Sequence, residues 1–394
     1  MTSAPVTVPL CAPEIRGNEW KYVKECLDTG WVSTVGSFVE RFEYLLAQSV
    51  GAKWAVATNS GTSALHIALL VAGVQPNDEV LVSTLSFIAP ANAIRYVGAW
   101  PVFVDAESAY WQMDPQKLEE FLRLKCQWRN GGLYDRVTGS RVRAILPVHV
   151  LGHPVDMDPI LQLAQKYELT VIEDATESLG AKYKGTDVGH IGSIACFSFN
   201  GNKLITTGGG GMIVTDNEDW ARKAKYLTTQ AKNDPVEYVH QEIGYNYRLT
   251  NIQAALGVAQ LEQLHSYVEA KRRIAAAYAG ALRDLPGLTS MREAQWAQSV
   301  FWMYTILVDE DRSEMSARQL MVELAARGIQ TRPLWQPLHL SRAHQGSCAT
   351  DCSTAEWVNR RALSLPCSVG LTVAEQGHVI KQLKAMHAPY RVAF

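Results

Sequence analysis

Lys203 follows the short apolar segment Cys196-Phe197-Ser198-Phe199 and precedes a glycine tract, Gly208 to Gly211. Upstream, Thr170-Val171-Ile172 runs into Glu173-Asp174-Ala175, and earlier still Asn59-Ser60-Gly61-Thr62 opens a helix-like pattern. The chain thus offers an amine nucleophile, a carboxylate and an anion-binding turn. Pyridoxal phosphate (PLP) chemistry needs those three: an amine for a Schiff base, an acid for the ring nitrogen and donors for the phosphate.

Each of these residues also has an ordinary reading. A lysine after a strand is commonly a solvated surface residue. A Schiff-base lysine must be neutral to attack, so burial or a nearby cation has to favour proton loss. Ser198 lies five positions before Lys203 and can offer a hydroxyl to a phosphate. The glycines let backbone approach a ligand closely, or simply make a hairpin turn. They do not form a dinucleotide fingerprint, because Ile213 stands where the last glycine of G-x-G-x-x-G belongs, and no Walker A motif is present.

Asp174 at the end of an apolar run is either a helix N-cap or the partner of a pyridine nitrogen, which it would keep protonated. In a regular strand Glu173 points to the opposite face, so the two acids should not share a role. Backbone N–H groups at Ser60-Gly61-Thr62, with the helix dipole, favour a phosphate; the plain alternative is an N-cap. Phe87, in Ser83-Thr84-Leu85-Ser86-Phe87, can stack on a flat ring or pack in the core.

These residues need a scaffold. Strand-like runs recur at Trp54–Ala57, Val80–Ser83, Pro101–Val104, Ala144–Val148, Val171–Glu173 and Ile194–Phe197, with helical patterns between several of them. Leu65, Ala68, Leu69 and Ala72 fall on one helical face, as do Ile160, Leu163 and Ala164. Such alternation predicts an α/β fold with a mostly parallel central sheet and helices on both faces. Ligands of such sheets sit at the carboxyl ends of the strands, where Asp174, Ser198 and the Ser60 turn can converge. From Asn251 the pattern changes. Ile252 to Leu282 suits long helix, Met303–Val308 a strand and Ala317–Arg327 a helix; Thr372-Val373-Ala374-Glu375 is a capping box. The expected division is a large cofactor-binding domain over residues 1–250, then a linking helix and a small C-terminal α/β domain over 251–394.

The 394 residues carry 37 Lys+Arg against 39 Asp+Glu, which argues against a nucleic-acid groove or a polybasic membrane surface. Met1 to Pro9 lacks a signal-peptide pattern, and no apolar stretch approaches the roughly 18 residues of a membrane span. Of seven scattered cysteines only Cys348 and Cys352 lie close, and no second pair completes a zinc set. Reduced thiols in a cytoplasm, and no metal, are the expectation.

The ordered motifs resemble the DegT/DnrJ/EryC1/StrS family of PLP-dependent sugar aminotransferases over nearly the whole chain. They begin with Gly30-Trp31-Val32-Ser33, Gly36, Phe42-Glu43 and Ser60-Gly61-Thr62-Ser63-Ala64-Leu65. Glu173-Asp174-Ala175, Phe197-Ser198-Phe199, Gly201-Asn202-Lys203 and Thr206-Thr207-Gly208 follow. The late ones are Gly244-Tyr245-Asn246-Tyr247-Arg248, Gln253-Ala254-Ala255-Leu256-Gly257, Pro337-Leu338-His339 and Leu363-Ser364-Leu365-Pro366.

The resemblance implies the type I aminotransferase fold and a homodimer with shared active sites. It implies that Lys203 holds PLP as an internal aldimine and moves the proton, that Asp174 pairs with the ring nitrogen and that Phe87 stacks on the ring. Gly61, Thr62 and Ser198 would hold the phosphate, with Asn246 from the partner subunit. Trp31, Ser33 and His339 are candidates for the sugar-nucleotide side. Glu177 stands where relatives often carry Gln or His near the cofactor's phenolic oxygen, and Gly209 replaces a usual acid. Both features resemble the LegC-like branch, which aminates UDP-linked 4-keto-6-deoxy-N-acetylglucosamine for bacillosamine and legionaminic acid. The expected reaction transfers the amine of L-glutamate, through pyridoxamine phosphate, to that 4-keto group. The alternatives are a GDP-perosamine-type or a dTDP-3-keto or 4-keto sugar aminotransferase, a sugar dehydratase (which would typically replace Lys203 with histidine) and a non-catalytic sugar-nucleotide-binding regulator.

Overall fold

The computed structural model describes residues 8–387 apart from Pro235. Residues 1–7 of the stretch read as free of a signal peptide therefore lie outside the described residues.

Seven strands form the main path of the large sheet: β1 (Trp54–Thr58), β2 (Glu79–Ser83), β3 (Trp100–Val104), β4 (Arg141–Leu146), β5 (Thr170–Asp174), β6 (Ile194–Ser198) and β7 (Gly211–Thr215). Their order is β1-β7-β6-β5-β4-β2-β3. All neighbouring pairs are parallel except those of β7, which runs antiparallel between β1 and β6. A hairpin, Cys126–Arg129 with Gly132–Asp135, joins along β4. β2 and β7 are buried at every position, as strands covered on both faces must be, so they read as continuous apolar runs rather than alternating ones.

Six of the seven strands match strand-like runs in the sequence. The seventh, β7, lies where the glycine tract reads as a turn. Gly211 opens this strand because a side chain there would sit 2.4 Å from the Ser60 carbonyl oxygen. The tract therefore brings the Ser60 turn against β7; its close approach at Gly211 is to backbone, not to a ligand. Ile213, which spoils the dinucleotide fingerprint, is buried mid-strand.

The helix Gly61–Val71 is buried through Leu69, and β1 leads straight into it. Its start is set by Ser60, an extended N-cap whose side chain accepts from the Ser63 N–H. The pattern from Ile252 to Leu282 forms two helices, Asn251–Leu261 and Leu264–Leu282, rather than one. A Thr250–Gln253 capping box starts the first.

The C-terminal region carries a second, four-stranded antiparallel sheet built from Leu288–Ser290, Tyr304–Val308, Ala362–Leu365 and Arg332–Pro333. Helices Ala317–Ala326 and Val373–Met386 belong to this region, and the Thr372–Glu375 capping box opens the latter. The N-terminal segment also reaches it. Val8 N–H donates to Gly328 O, and Ala12 N–H to Ser368 Oγ at 2.8 Å.

Candidate active site

The carboxyl ends of β1, β2, β5 and β6 meet at one edge of the sheet. A cavity of about 260 Å³ opens there, lined by Gly61, Thr62, Phe87, Glu177, Ser198 and Lys203 among others. The sequence reading had singled out all six.

The anion-binding wall is local geometry. Ser63 N–H is taken by Ser60 Oγ and Ala64 N–H by Ser60 O, so the donors of Gly61 and Thr62 remain at the helix mouth. Gly61 is required by Ser198, whose Cβ would lie 2.8 Å from a side chain placed there. This close approach sets the β6 hydroxyl beside the helix N-terminus, an arrangement that suits a phosphate.

Asp174 is not a helix N-cap, since a turn follows it. Its Oδ1 accepts from the Thr176 N–H at 3.1 Å. Burial raises its carboxyl above the usual range, with Thr176 and the charge of Lys203 opposing. A buried acid facing no directly bonded cation fits a protonated ring nitrogen.

Glu173 goes elsewhere. Burial raises it, but His149 and backbone N–H groups outweigh burial and hold it below the ordinary range. Its carboxylate meets His149 Nε2 at 3.0 Å and accepts from Gly189, Ile191 and Gly192 N–H groups. His149 Nδ1 accepts from Val155 N–H, so the proton shared with Glu173 sits on Nε2. Glu173 thus anchors the end of β5, while Asp174, buried and outside the cavity lining, feels the charge of Lys203.

The Lys203 side chain is 13% exposed, with Nζ 3.7 Å from Glu177 Oε1 and 4.0 Å from the centre of the Trp302 ring. Trp302 stacks at 9° on Trp335, and Phe87 meets Trp335 edge-on. These two tryptophans complete the aromatic wall and were missed in the sequence, because each lies far beyond the lysine in the chain, 99 residues away for Trp302 and 132 for Trp335. The loop bearing Lys203 is held from outside: the Asn202 carbonyl accepts from Trp302 Nε1 at 2.7 Å and from Cys11 Sγ at 3.3 Å.

Glu177 is buried, and its Oε2 accepts from Leu151 N–H at 2.8 Å. Burial pushes its carboxyl up to about 7 from an ordinary 4.5; Lys203 opposes this and Asp174 adds to it. Without cofactor, the folded chain therefore keeps a proton that the unfolded chain releases between those two values. Its stability falls as pH rises through that window and levels off above it. Glu177→Gln should gain in melting temperature over wild type from about pH 4.5 to about pH 7 and hold that gain above. A difference independent of pH in thermal melts of the apoprotein would contradict this.

The remaining candidates stand outside the cavity lining. His339 Nδ1 meets Thr84 Oγ1 at 2.8 Å and Nε2 meets Glu356 Oε1 at 3.3 Å, so both ring nitrogens are engaged. The carbonyls of Trp31 and Ser33 accept from Asn251, and the Trp31 side chain is exposed. Asn246 pairs with Thr229, and its carbonyl accepts from Asn59 Nδ2.

All seven cysteines are free. Among the described residues no helix is long and apolar enough to cross a membrane.

The fold is that of the PLP-dependent aminotransferases. It superposes on a DegT DnrJ EryC1 StrS aminotransferase from Brucella abortus with a TM-score of 0.86 at 27% identity, covering 94% of this chain and 95% of that one. It likewise matches S. venezuelae DesV in complex with a ketimine intermediate, with a TM-score of 0.84 at 32% identity over 94% of each chain. The chain belongs to the DegT/DnrJ/EryC1/StrS aminotransferase family, whose model matches residues 13–384. It is 41% identical to a GDP-perosamine synthase of Caulobacter vibrioides, over 95% of this chain and 97% of that one. It is 40% identical to a GDP-perosamine synthase of Escherichia coli O157:H7, over 84% of this chain and 85% of that one. The protein is thus a PLP-dependent sugar aminotransferase.

Proposed function

We propose that the chain moves the amine of L-glutamate onto the 4-keto carbon of a GDP-linked 6-deoxy sugar, a GDP-perosamine-type reaction. The observation that carries this reading is the 40–41% identity to two GDP-perosamine synthases, over 95% of the chain for one and 84% for the other. The UDP-linked, LegC-like reading rested on Glu177 and Gly209 alone. Both positions border the Lys203 cavity, where the cofactor's fit is decided. They therefore say little about the nucleotide, and whole-chain likeness outweighs them.

Bound PLP supplies an aldehyde that accepts the donor's amine and, as pyridoxamine phosphate, a carrier that releases it to the ketone. The chain's own residues do the rest. Gly61, Thr62 and Ser198 fix the phosphate end. Asp174 would hold a negative charge for the ring nitrogen and keep it protonated. Phe87 would stack on the ring. Lys203 Nζ takes the proton from the donor's α-carbon and returns one to the sugar carbon that receives the amine. Glu177 sits close enough to take up or give back charge as Lys203 Nζ changes protonation. The Trp302–Trp335 stack walls the amine from water.

We read residues 1–250 as the cofactor-binding unit and 251–394 as the linking helices and small domain. The active assembly is a homodimer in which the partner subunit's Asn246 completes the phosphate site. Within one chain Asn246 lines no part of the cavity, which is consistent with service to a neighbour.

The test is a cofactor-loss assay. Protein loaded with PLP and converted with glutamate is given GDP-, UDP- and dTDP-linked 4-keto-6-deoxy sugars separately. The PLP absorbance band should return with the GDP sugar at a kcat/KM about 10²-fold above the others. Preferential return with the UDP-N-acetyl sugar would restore the LegC-like reading.

A further inference from the structure

A second cluster of chemically able side chains lies at the amino-terminal side of β2, away from the catalytic edge. Glu79 opens β2, Asp135 closes the hairpin strand and Cys348 arrives from the C-terminal region. One ligand atom from each lies within 4.8 Å of the others. Glu79 and Asp135 are each 2% exposed. Glu79 Oε1 accepts from Thr138 Oγ1 at 2.7 Å, whereas Oε2 is buried with no hydrogen-bond partner. The charged neighbour acting on Glu79 is Asp135, another acid. A cavity of about 370 Å³ reaches Asp135 and Cys348 from outside.

Burying two carboxylates together is costly unless a cation or a full set of donors meets them. Here the donors satisfy one side: Thr138 for Glu79, and the Val137 and Thr138 N–H groups for Asp135 Oδ1. The orphaned Glu79 oxygen is buried, and it belongs to a carboxylate that lies beside the Cys348 thiol. We propose that Glu79, Asp135 and Cys348 form a binding site for a divalent transition-metal cation of the zinc type. Two carboxylate oxygens and one sulfur suit Zn²⁺ or Co²⁺, whereas Mg²⁺ and Ca²⁺ take oxygen ligands. On binding, the Cys348 S–H bond breaks, the sulfur's electron pair goes to the metal and the proton leaves through the cavity. The Cys126 thiol lies near both acids.

The site is a fastener. Cys348 O already accepts from Phe103 N–H, which seats this C-terminal segment along β3. A bound ion would cross-link that segment to β2 and to the hairpin, three regions far apart in the chain. The spacing of cysteines could not reveal it, because two of the three ligands are isolated acids.

Untagged, reduced full-length protein titrated with Co²⁺ tests the proposal. A thiolate-to-metal absorbance band should saturate at one equivalent, together with a rise in melting temperature reversed by a chelator. Cys348→Ser and Glu79→Gln should each lose both signals while transamination continues. Asp135→Asn provides a third variant should either of these fold poorly. Absence of the band, or its persistence in Cys348→Ser, would overturn the site.

Discussion

Lys203→Ala should lower transamination by about 10⁴-fold or more while the chain stays folded. The lysine side chain enters the cavity and is little exposed. Its tip contributes to packing only through the Trp302 face and the ion pair with Glu177, so truncation removes the amine without opening the core. Glu177 then loses its cationic neighbour, and its buried carboxyl holds a proton more firmly still. The measurements are steady-state turnover with glutamate and the keto sugar, and circular dichroism as a fold check. Partial rescue by a small primary amine would show that the missing function is the amine itself. Near-normal turnover would remove Lys203 from the reaction.

The second large effect is at Asp174. Asn has nearly the same shape and can still accept from Thr176 N–H, so Asp174→Asn should fold normally. It cannot carry the negative charge that keeps the ring nitrogen protonated, and turnover should fall by about 10²–10³-fold, the usual cost of losing one preorganised electrostatic partner. Burial already makes this carboxylate costly to ionise. The cofactor-free variant should therefore melt no lower than wild type near neutral pH. Full activity would place the ring nitrogen against another residue.

Much of this arrangement was legible because its signals are local. Asp174, Ser198 and the Ser60 turn each sit at the end of a strand, and strand ends in a parallel sheet converge by geometry. β7 was not legible, because it follows directly on glycines that look like a turn, the last of which, Gly211, is its first residue, and its direction reverses the local pattern. The break between the helices at Asn251–Leu261 and Leu264–Leu282 falls in Glu262-Gln263, two good helix formers, so only packing could place it there. Trp302 and Trp335 reach the lysine through tertiary contact alone. Trp31, Ser33 and His339 rest on resemblance; within one chain the Trp31 and Ser33 carbonyls accept from Asn251, and the His339 ring meets Thr84 and Glu356. Glu177 and Gly209 border the Lys203 cavity, so they carry little information about the nucleotide.

The carbonyl of Asn202 takes hydrogen bonds from residues 191 positions earlier and 100 positions later. The loop that carries Lys203 is therefore pinned by contacts to both the N-terminal segment and the C-terminal region. Contacts of such separation form late, because loop closure must precede them. The placement of Lys203 accordingly requires both the N-terminal segment and the C-terminal region to have docked on the sheet.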